Sequence, residues 1–395
     1  MKTLITNADI ILSHTVLSEG YLVFEDDIIS DFGSMAEMPR DSFDCVIDAE
    51  GRYLSPGFVD IHVHGGGGGD FLDGEEDSFL AALRSHVRGG TTTIMPTLSA
   101  AATDSFIKSI DVYELIKKRW VEYDIPNLAG IHMEGPYCAQ AQRGAQEERF
   151  VRNPDSDEYN YILNYSDSVK RWSSACELPG ALEMARAMRK RGVSISIGHS
   201  DAETSEVYEA YDYGFDCITH LYSGCSMVHR KNAFRYCGVV EAAYLIDGMD
   251  VEIIADGAHL PVDLLKLIYK IKGADKIALI TDSTRAGGVG GIEALQASGM
   301  NTDDEFIVES GVAIMPDRTC FYGGIATTAQ LVRVMTEKAG VDIVNAVRMA
   351  SLTPARIIGI DDVTGSIVKG KRADLVVFDR DVNISDVIVA GKVCG

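Results

Sequence analysis

The chain has 395 residues, too many for one small domain at about 150 residues per domain, and its hydrophobic fraction of 46% is that of an ordinary globule rather than a disordered chain. A formal net charge of -23 argues against nucleic acid or an anionic membrane surface as the main partner, because phosphate groups need clustered Lys and Arg. The eight cysteines form no CxxC pair and read as reduced, intracellular thiols, while no run of about eighteen apolar residues offers a membrane span.

At the start, "MKTLITNADIILSHTVL" has Asn7, Asp9 and His14 among its apolar residues, so it lacks the unbroken core of a signal peptide, and a cytoplasmic location is expected. Residues 1–53 read as short strands separated by turn signals, in "TLITNADIIL", "GYLVFEDDIISDFG" and "DCVIDAEGRYL". From residue 54 the pattern changes. Apolar β-branched runs ending near "VDIHVHG", "TTTIMPTLS", "LAGIHMEGPY", "WSSACELPG", "VSISIGHSD", "CITHLYSG", "VEIIADGAH" and "KIALITDST" alternate with stretches of helical period such as "GALEMARAMRKRG". Eight strand–helix units predict a (β/α)8 barrel, an α/β fold, over 54–361, with a doubly wound open sheet as the alternative. "EFIVESGVAIMPDRTCFYGG" then reads as a hairpin insertion, and "AQLVRVMTEKAG" and "DIVNAVRMASLTPARIIG" as closing helices. Residues 362–395 return to strands, and neither end alone has enough of them to bury a face, so 1–53 and 362–395 are expected to combine as one small β-sandwich domain.

His62, His64, His199, His220 and His259 all fall at or just past the C-terminal end of a predicted strand. In a barrel those ends share the face that carries active sites. His62 and His64, two apart on a strand, point to the same side and can share an ion as neutral imidazoles. Glu134 in "HMEGPY" and Asp282 in "ITDST" end apolar runs, where an unpaired carboxylate is costly to bury, and a divalent cation supplies the countercharge. Asp282 taken alone reads better as a helix N-cap, a common role for Asp after a strand, and only the company of the other strand-end residues favours the metal site. The run Gly65 to Gly69 after the HxH pair admits two readings, a phosphate cradle or backbone that passes close to a metal and its substrate. It lacks the GK[ST] of a phosphate-binding loop, and Asp70, Asp73, Glu75 and Glu76 follow it, which favours the second.

Through "PGFVDIHVHGGGGGDF", "HMEGPY", "GHSDA", "THLYS", "ADGAHLP", "LITDST" and the tail "MASLTPARIIGIDDVTGSIVKGKRADLVVFD", the chain resembles the amidohydrolase superfamily and, within it, the N-acetylglucosamine-6-phosphate deacetylases. The resemblance implies a deacetylase in which a metal-activated water attacks an acetamide carbonyl. It places Glu134, His199 and His220 on the catalytic metal, with His62 and His64 helping to hold a second ion or remaining spare. One or two Zn2+ or Fe2+ ions per subunit are implied, since imidazole and carboxylate ligands do not separate these metals. Asp282 becomes the general base and His259 a sugar contact. Arg230, within the basic island "SMVHRKNAFR", stands where the family binds phosphate, often in the neighbouring subunit's site, which suggests a homodimer.

Three departures touch substrate recognition and leave the metal alone. Ser223 and Gly224 in "LYSGCSM" occupy the place of the family's phosphate-binding Asn-Ala, Gln146 in "RGAQ" replaces a substrate histidine, and "YGGIATT" replaces an Ala-Gly-Ser loop. The expected substrate is therefore an N-acetylated amino sugar, 6-phosphorylated N-acetylglucosamine first, with its galactosamine isomer, unphosphorylated sugars and N-acyl amino acids as alternatives. A non-catalytic relative of the fold is the rival from another class, and the filled set of candidate ligands speaks against it.

Overall fold

The computed structural model describes residues 1–289 and 306–394. Eight parallel strands follow one another around a barrel: β1 (Phe58–Val63), β2 (Thr91–Leu98), β3 (Ile131–Glu134), β4 (Val169–Ser174), β5 (Ser194–Ile197), β6 (Phe215–Ile218), β7 (Asp250–Ile253) and β8 (Ile277–Leu279). Each of the first seven is followed by a helix: α1 (Glu76–Arg88), α2 (Thr103–Lys118), α3 (Ser156–Tyr165), α4 (Ala181–Lys190), α5 (Thr204–Tyr213), α6 (Val239–Leu245) and α7 (Val262–Lys272). Such crossovers cover the outside of the strands, which explains why the strand residues are buried almost throughout, the polar ones included. Pairing runs unbroken from β1 to β8.

The seam between β8 and β1 closes through the residues just beyond β8. Asp282 N–H donates to the His62 carbonyl at 3.0 Å, and His64 N–H to that of Ser283 at 2.9 Å. Within the wall, Thr281 Oγ1 donates to Asp60 Oδ2 at 2.5 Å, and burial pushes the Asp60 carboxyl up to about 7. These bonds tie His62, His64 and Asp282 to one stretch of wall. The expected barrel is present, and the open-sheet alternative is set aside.

Both chain ends combine in one mixed eight-stranded sheet, with Tyr53–Pro56 antiparallel to Leu375–Phe378 at the join. Its core mixes Ile5, Leu22 and Leu54 from the first segment with Leu375, Val377 and Ile388 from the last. The expected hairpin insertion is a three-stranded antiparallel ribbon, Ile307–Glu309, Val312–Ile314 and Phe321–Gly324; residue 305, with which that reading began, lies outside the described residues. The second closing segment is two helices, α9 (Ile343–Ala350) and α10 (Leu352–Ile357), after α8 (Thr328–Arg333); the break falls at Ser351, three residues before Pro354, whose missing N–H and ring bar a continuous helix bonded to the carbonyl of Ala350. No described helix is long and apolar enough to cross a membrane, and all eight cysteines are free thiols.

Candidate metal centre and substrate cavity

His199, His220 and Asp282 follow the ends of β5, β6 and β8 with φ of 50°, 29° and 46°. Non-glycine residues adopt this left-handed region at a cost, and such strain gathers at functional sites. Here the turn ends each strand and coincides with convergence of the three side chains on Glu134, at the end of β3, and on the histidines of β1.

Glu134 is 2% exposed, and its two oxygens face different partners. Oε1 lies 2.7 Å from His220 Nε2 and 3.0 Å from His199 Nε2, while Oε2 lies 3.2 Å from His64 Nε2; His62 Nε2 is 3.3 Å from Oε1. Asp282 Oδ1 stands 3.3 Å from His62 Nε2 and 3.1 Å from His64 Nε2, and the two Nε2 atoms are 3.3 Å apart. Donor atoms around a tetrahedral zinc at about 2.0–2.1 Å stand roughly 3.3 Å apart. The two triplets His62–His64–Glu134 and Glu134–His199–His220 therefore have the composition and spacing of divalent-metal sites and share one carboxylate.

The outward ring nitrogens support the same fit. His199 Nδ1 donates to the Gln142 carbonyl at 2.9 Å and His220 Nδ1 to the Ser223 carbonyl at 3.0 Å. A carbonyl can only accept, so in each neutral ring the proton sits on Nδ1 and the Nε2 lone pair points inward. His64 Nδ1 meets Ser99 Oγ at 3.0 Å and His62 Nδ1 meets Glu252 at 3.1 Å. Four inward nitrogens and two carboxylates call for a cation. Without one, protons would take its place: burial lowers the affinity of His64 for a proton, yet hydrogen bonds to Asp282 and Glu134 outweigh it and raise its pKa to about 10. Burial likewise opposes ionisation of Glu134 and Asp282, but the neighbouring His62 charge prevails and holds both below the usual carboxylate range.

Above this cluster opens a cavity of about 770 Å3, within the span of small-molecule sites. His259 lines it, with Nδ1 held by Asp256 Oδ2 at 2.7 Å. Gln146 lines it too, and its amide bridges Glu134 Oε2 at 2.7 Å and the Ala100 N–H at 2.6 Å, so its present contacts are to the Glu134 carboxylate and to backbone. Ser223 and Gly224 sit at the rim, Ser223 supporting His220. Arg230 is not part of this cavity lining: His229–Lys231 and Phe234–Tyr236 form an exposed hairpin. The arginines that line the cavity are Arg285, paired with Asp73 at 3.1 Å, and Arg318, paired with Glu309 at 2.7 Å.

The glycine run needs a different explanation from the one expected. Gly65–Gly66 and Gly69–Asp70 form a small antiparallel ribbon pressed on α1, where a Cβ on Gly69 would lie 2.1 Å from the Ser78 carbonyl oxygen. Helix packing excludes side chains at Gly66, Gly67 and Gly69, and the facing ribbon strand excludes one at Gly65. In "YGGIATT" the tight approach is to the Asp282 loop. Gly324 N–H donates to the Asp282 carbonyl at 2.7 Å, and a Cβ on Gly324 would lie 2.1 Å from the Thr281 oxygen. Sequence reasoning missed Arg285, Arg318 and Glu252. The last is an acid within an apolar strand, the same signal that identified Glu134.

The likeness extends to whole proteins. The family model described as "Amidohydrolase family" matches residues 53–394. The N-acetylglucosamine-6-phosphate deacetylase of Haemophilus influenzae is 27% identical over 394 residues, 99% of each chain, and the N-acetylgalactosamine-6-phosphate deacetylase of Escherichia coli O157:H7 is 28% identical over 353 residues, 88% of this chain and 89% of that one. The crystal structure of N-acetylglucosamine-6-phosphate deacetylase from Pasteurella multocida superposes with a TM-score of 0.88 at 26% identity, covering 100% of this chain and 99% of that chain. A mutant deacetylase from Mycobacterium smegmatis in complex with N-acetyl-D-glucosamine-6-phosphate gives 0.86 at 27% identity, covering 100% and 99%. On the match of its barrel and most of its length, the chain belongs to the amidohydrolase family and is a hydrolase of that kind.

Proposed function

We propose that the protein is a metal-dependent deacetylase that hydrolyses the N-acetyl group of an amino-sugar 6-phosphate, N-acetylglucosamine 6-phosphate before its galactosamine isomer, giving acetate and the free amine. The observation that carries this reading is the convergence of four histidines on Glu134, His199, His220 and His62 at Oε1 and His64 at Oε2, with Asp282 against His62 and His64. Glu134, His199 and His220 would hold one ion and His62, His64 and Glu134 the other, Zn2+ or Fe2+. When bound, such ions acidify water and polarise a carbonyl oxygen.

The chain's own groups supply the rest. Asp282, ionised in its surroundings, accepts the proton of the attacking water at a carboxylate oxygen and returns it to the nitrogen that leaves. Fixed through Nδ1 by Asp256, His259 presents its other ring nitrogen to the substrate. Gln146 steadies Glu134 and borders the acetamide, while Ser223 and Gly224 form the wall beside it. We assign the phosphate to Arg230 of a second copy, since Arg230 sits on an exposed hairpin and does not line its own cavity; this makes the active form a homodimer.

The test is acetate release by purified protein from N-acetylglucosamine 6-phosphate, N-acetylgalactosamine 6-phosphate, the two unphosphorylated sugars and an N-acetyl amino acid. Turnover of the glucosamine compound with the highest kcat/KM is expected. No release from either sugar phosphate would overturn the assignment.

A further inference from the structure

Glu252 lies in the middle of β7 and, like Arg171 of β4, is fully buried. Its two oxygens are used separately. Oε1 accepts from Arg171 Nη2 at 2.6 Å, while Oε2 is 3.1 Å from His62 Nδ1 and accepts from the His220 N–H at 3.4 Å. Neutralising Arg171 needs only the first of these. The second is turned toward the two strands that carry the inner histidines.

The donor and acceptor rules then leave one arrangement. A guanidinium only donates and an ionised carboxylate only accepts, so the side facing His62 must be met by a proton on Nδ1. In the neutral ring Nε2 then carries the lone pair, on the side where His64 Nε2, Glu134 Oε1 and Asp282 Oδ1 all stand 3.3 Å away. A carboxylate behind an imidazole fixes ring orientation and tautomer and raises its basicity as a ligand. We propose that Glu252, held by Arg171, is a positioning residue that fixes His62 as the Nδ1–H tautomer and so presents its Nε2 to the ion shared with His64 and Glu134. The proposal rests on the metal-site reading above.

Glu252→Gln separates this role from simple filling of space. If the amide oxygen stays on Arg171, the NH2 group faces His62 Nδ1 and the His220 N–H. The ring can then accept at Nδ1 only by moving its proton to Nε2, which switches off ligation. A residue with a merely structural role would tolerate the isosteric amide.

Chelator-treated wild type and variants would be titrated with zinc against a chromophoric chelator, with stoichiometry read by elemental analysis and folding by circular dichroism. Wild type is expected to take two ions. Glu252→Gln is expected to bind one of them about 10–100-fold more weakly, leaving the other unchanged. Since Glu252→Ala would strand the Arg171 charge, the companion variant is R171M/E252A, which should show the same selective loss. Should neither variant fold, the zinc-loaded wild-type crystal structure decides: His62 must bind zinc through Nε2 with Nδ1 on Glu252. Two ions held by Glu252→Gln at wild-type affinity, or zinc on Nδ1 of His62, would overturn the proposal. Wild type that takes up no zinc would overturn the metal-site reading itself and this proposal with it.

Discussion

The floor and the rim of the cavity are built differently. On the floor, the buried Nδ1 atoms of His62, His64, His199 and His220 each have a partner at 2.9–3.1 Å, and the donors sit on strand ends tied together by backbone bonds. At the rim, Arg318 is 60% exposed on a ribbon loop, and Arg230 sits on an exposed hairpin outside the cavity lining. On the proposed function, the difference teaches that the chemistry would be held by hydrogen-bonded barrel wall and recognition by loops, which can diverge without disturbing it.

The sharpest way to break that contrast is at the shared carboxylate. Glu134→Gln is expected to empty both ion positions, and His64→Asn only one, as read by elemental analysis; equal loss from both variants would remove the sharing. Next in size is Asp282→Asn, which should lower kcat by about 10^3 while metal content stays at the wild-type value. Retained turnover would move the base elsewhere, and lost metal would make Asp282 chiefly a ligand.

Rim variants should behave differently. Arg230→Ala is expected to raise KM for the 6-phosphate about 10–100-fold, the cost of one charge-assisted hydrogen bond, with kcat and activity on unphosphorylated sugar little changed. Steady-state kinetics on both substrates checks this, and a fall confined to kcat would contradict it.

The smallest effect concerns pH and the support behind the floor. Buried His86 has Nε2 on the Gly65 carbonyl at 2.9 Å and, among the described residues, no hydrogen-bond partner on Nδ1, and burial lowers its pKa from 6.5 to about 4. The unfolded chain therefore binds a proton that the folded one refuses. The stability concerned is fully present above pH 6.5 and is lost as pH falls from there toward 4, amounting to about 3 kcal/mol. Urea unfolding at pH 7 and pH 4.5 should show His86→Gln losing less stability on acidification than wild type; equal losses would contradict it.

The same contrast explains what could be read from the chain alone. Barrel strands announce themselves as β-branched runs because both faces are covered, and an acid or histidine at the end of such a run stands out against it. Glu134, His199, His220 and Asp282 were legible for that reason. Glu252 carries the same signal one residue deeper, but inside a strand it reads as an interruption until Arg171 is seen beside it. The rim left no such mark. Arg285 and Arg318 sit in polar loops where arginines are ordinary, and only three-dimensional folding shows that they line the cavity and that Arg230 does not. The glycine run suggested a ligand because the packing of Gly66, Gly67 and Gly69 against Ser85, Ala81 and Ser78 of α1 depends on a helix laid across them.

The central claim is that one carboxylate serves two pairs of histidines, and anomalous diffraction at the zinc edge from crystals of the zinc-loaded protein tests it most directly. Two peaks flanking Glu134 are predicted, one against His199 and His220 and one against His62 and His64. Zinc bound away from Glu134, or no peak among these five side chains, would contradict it.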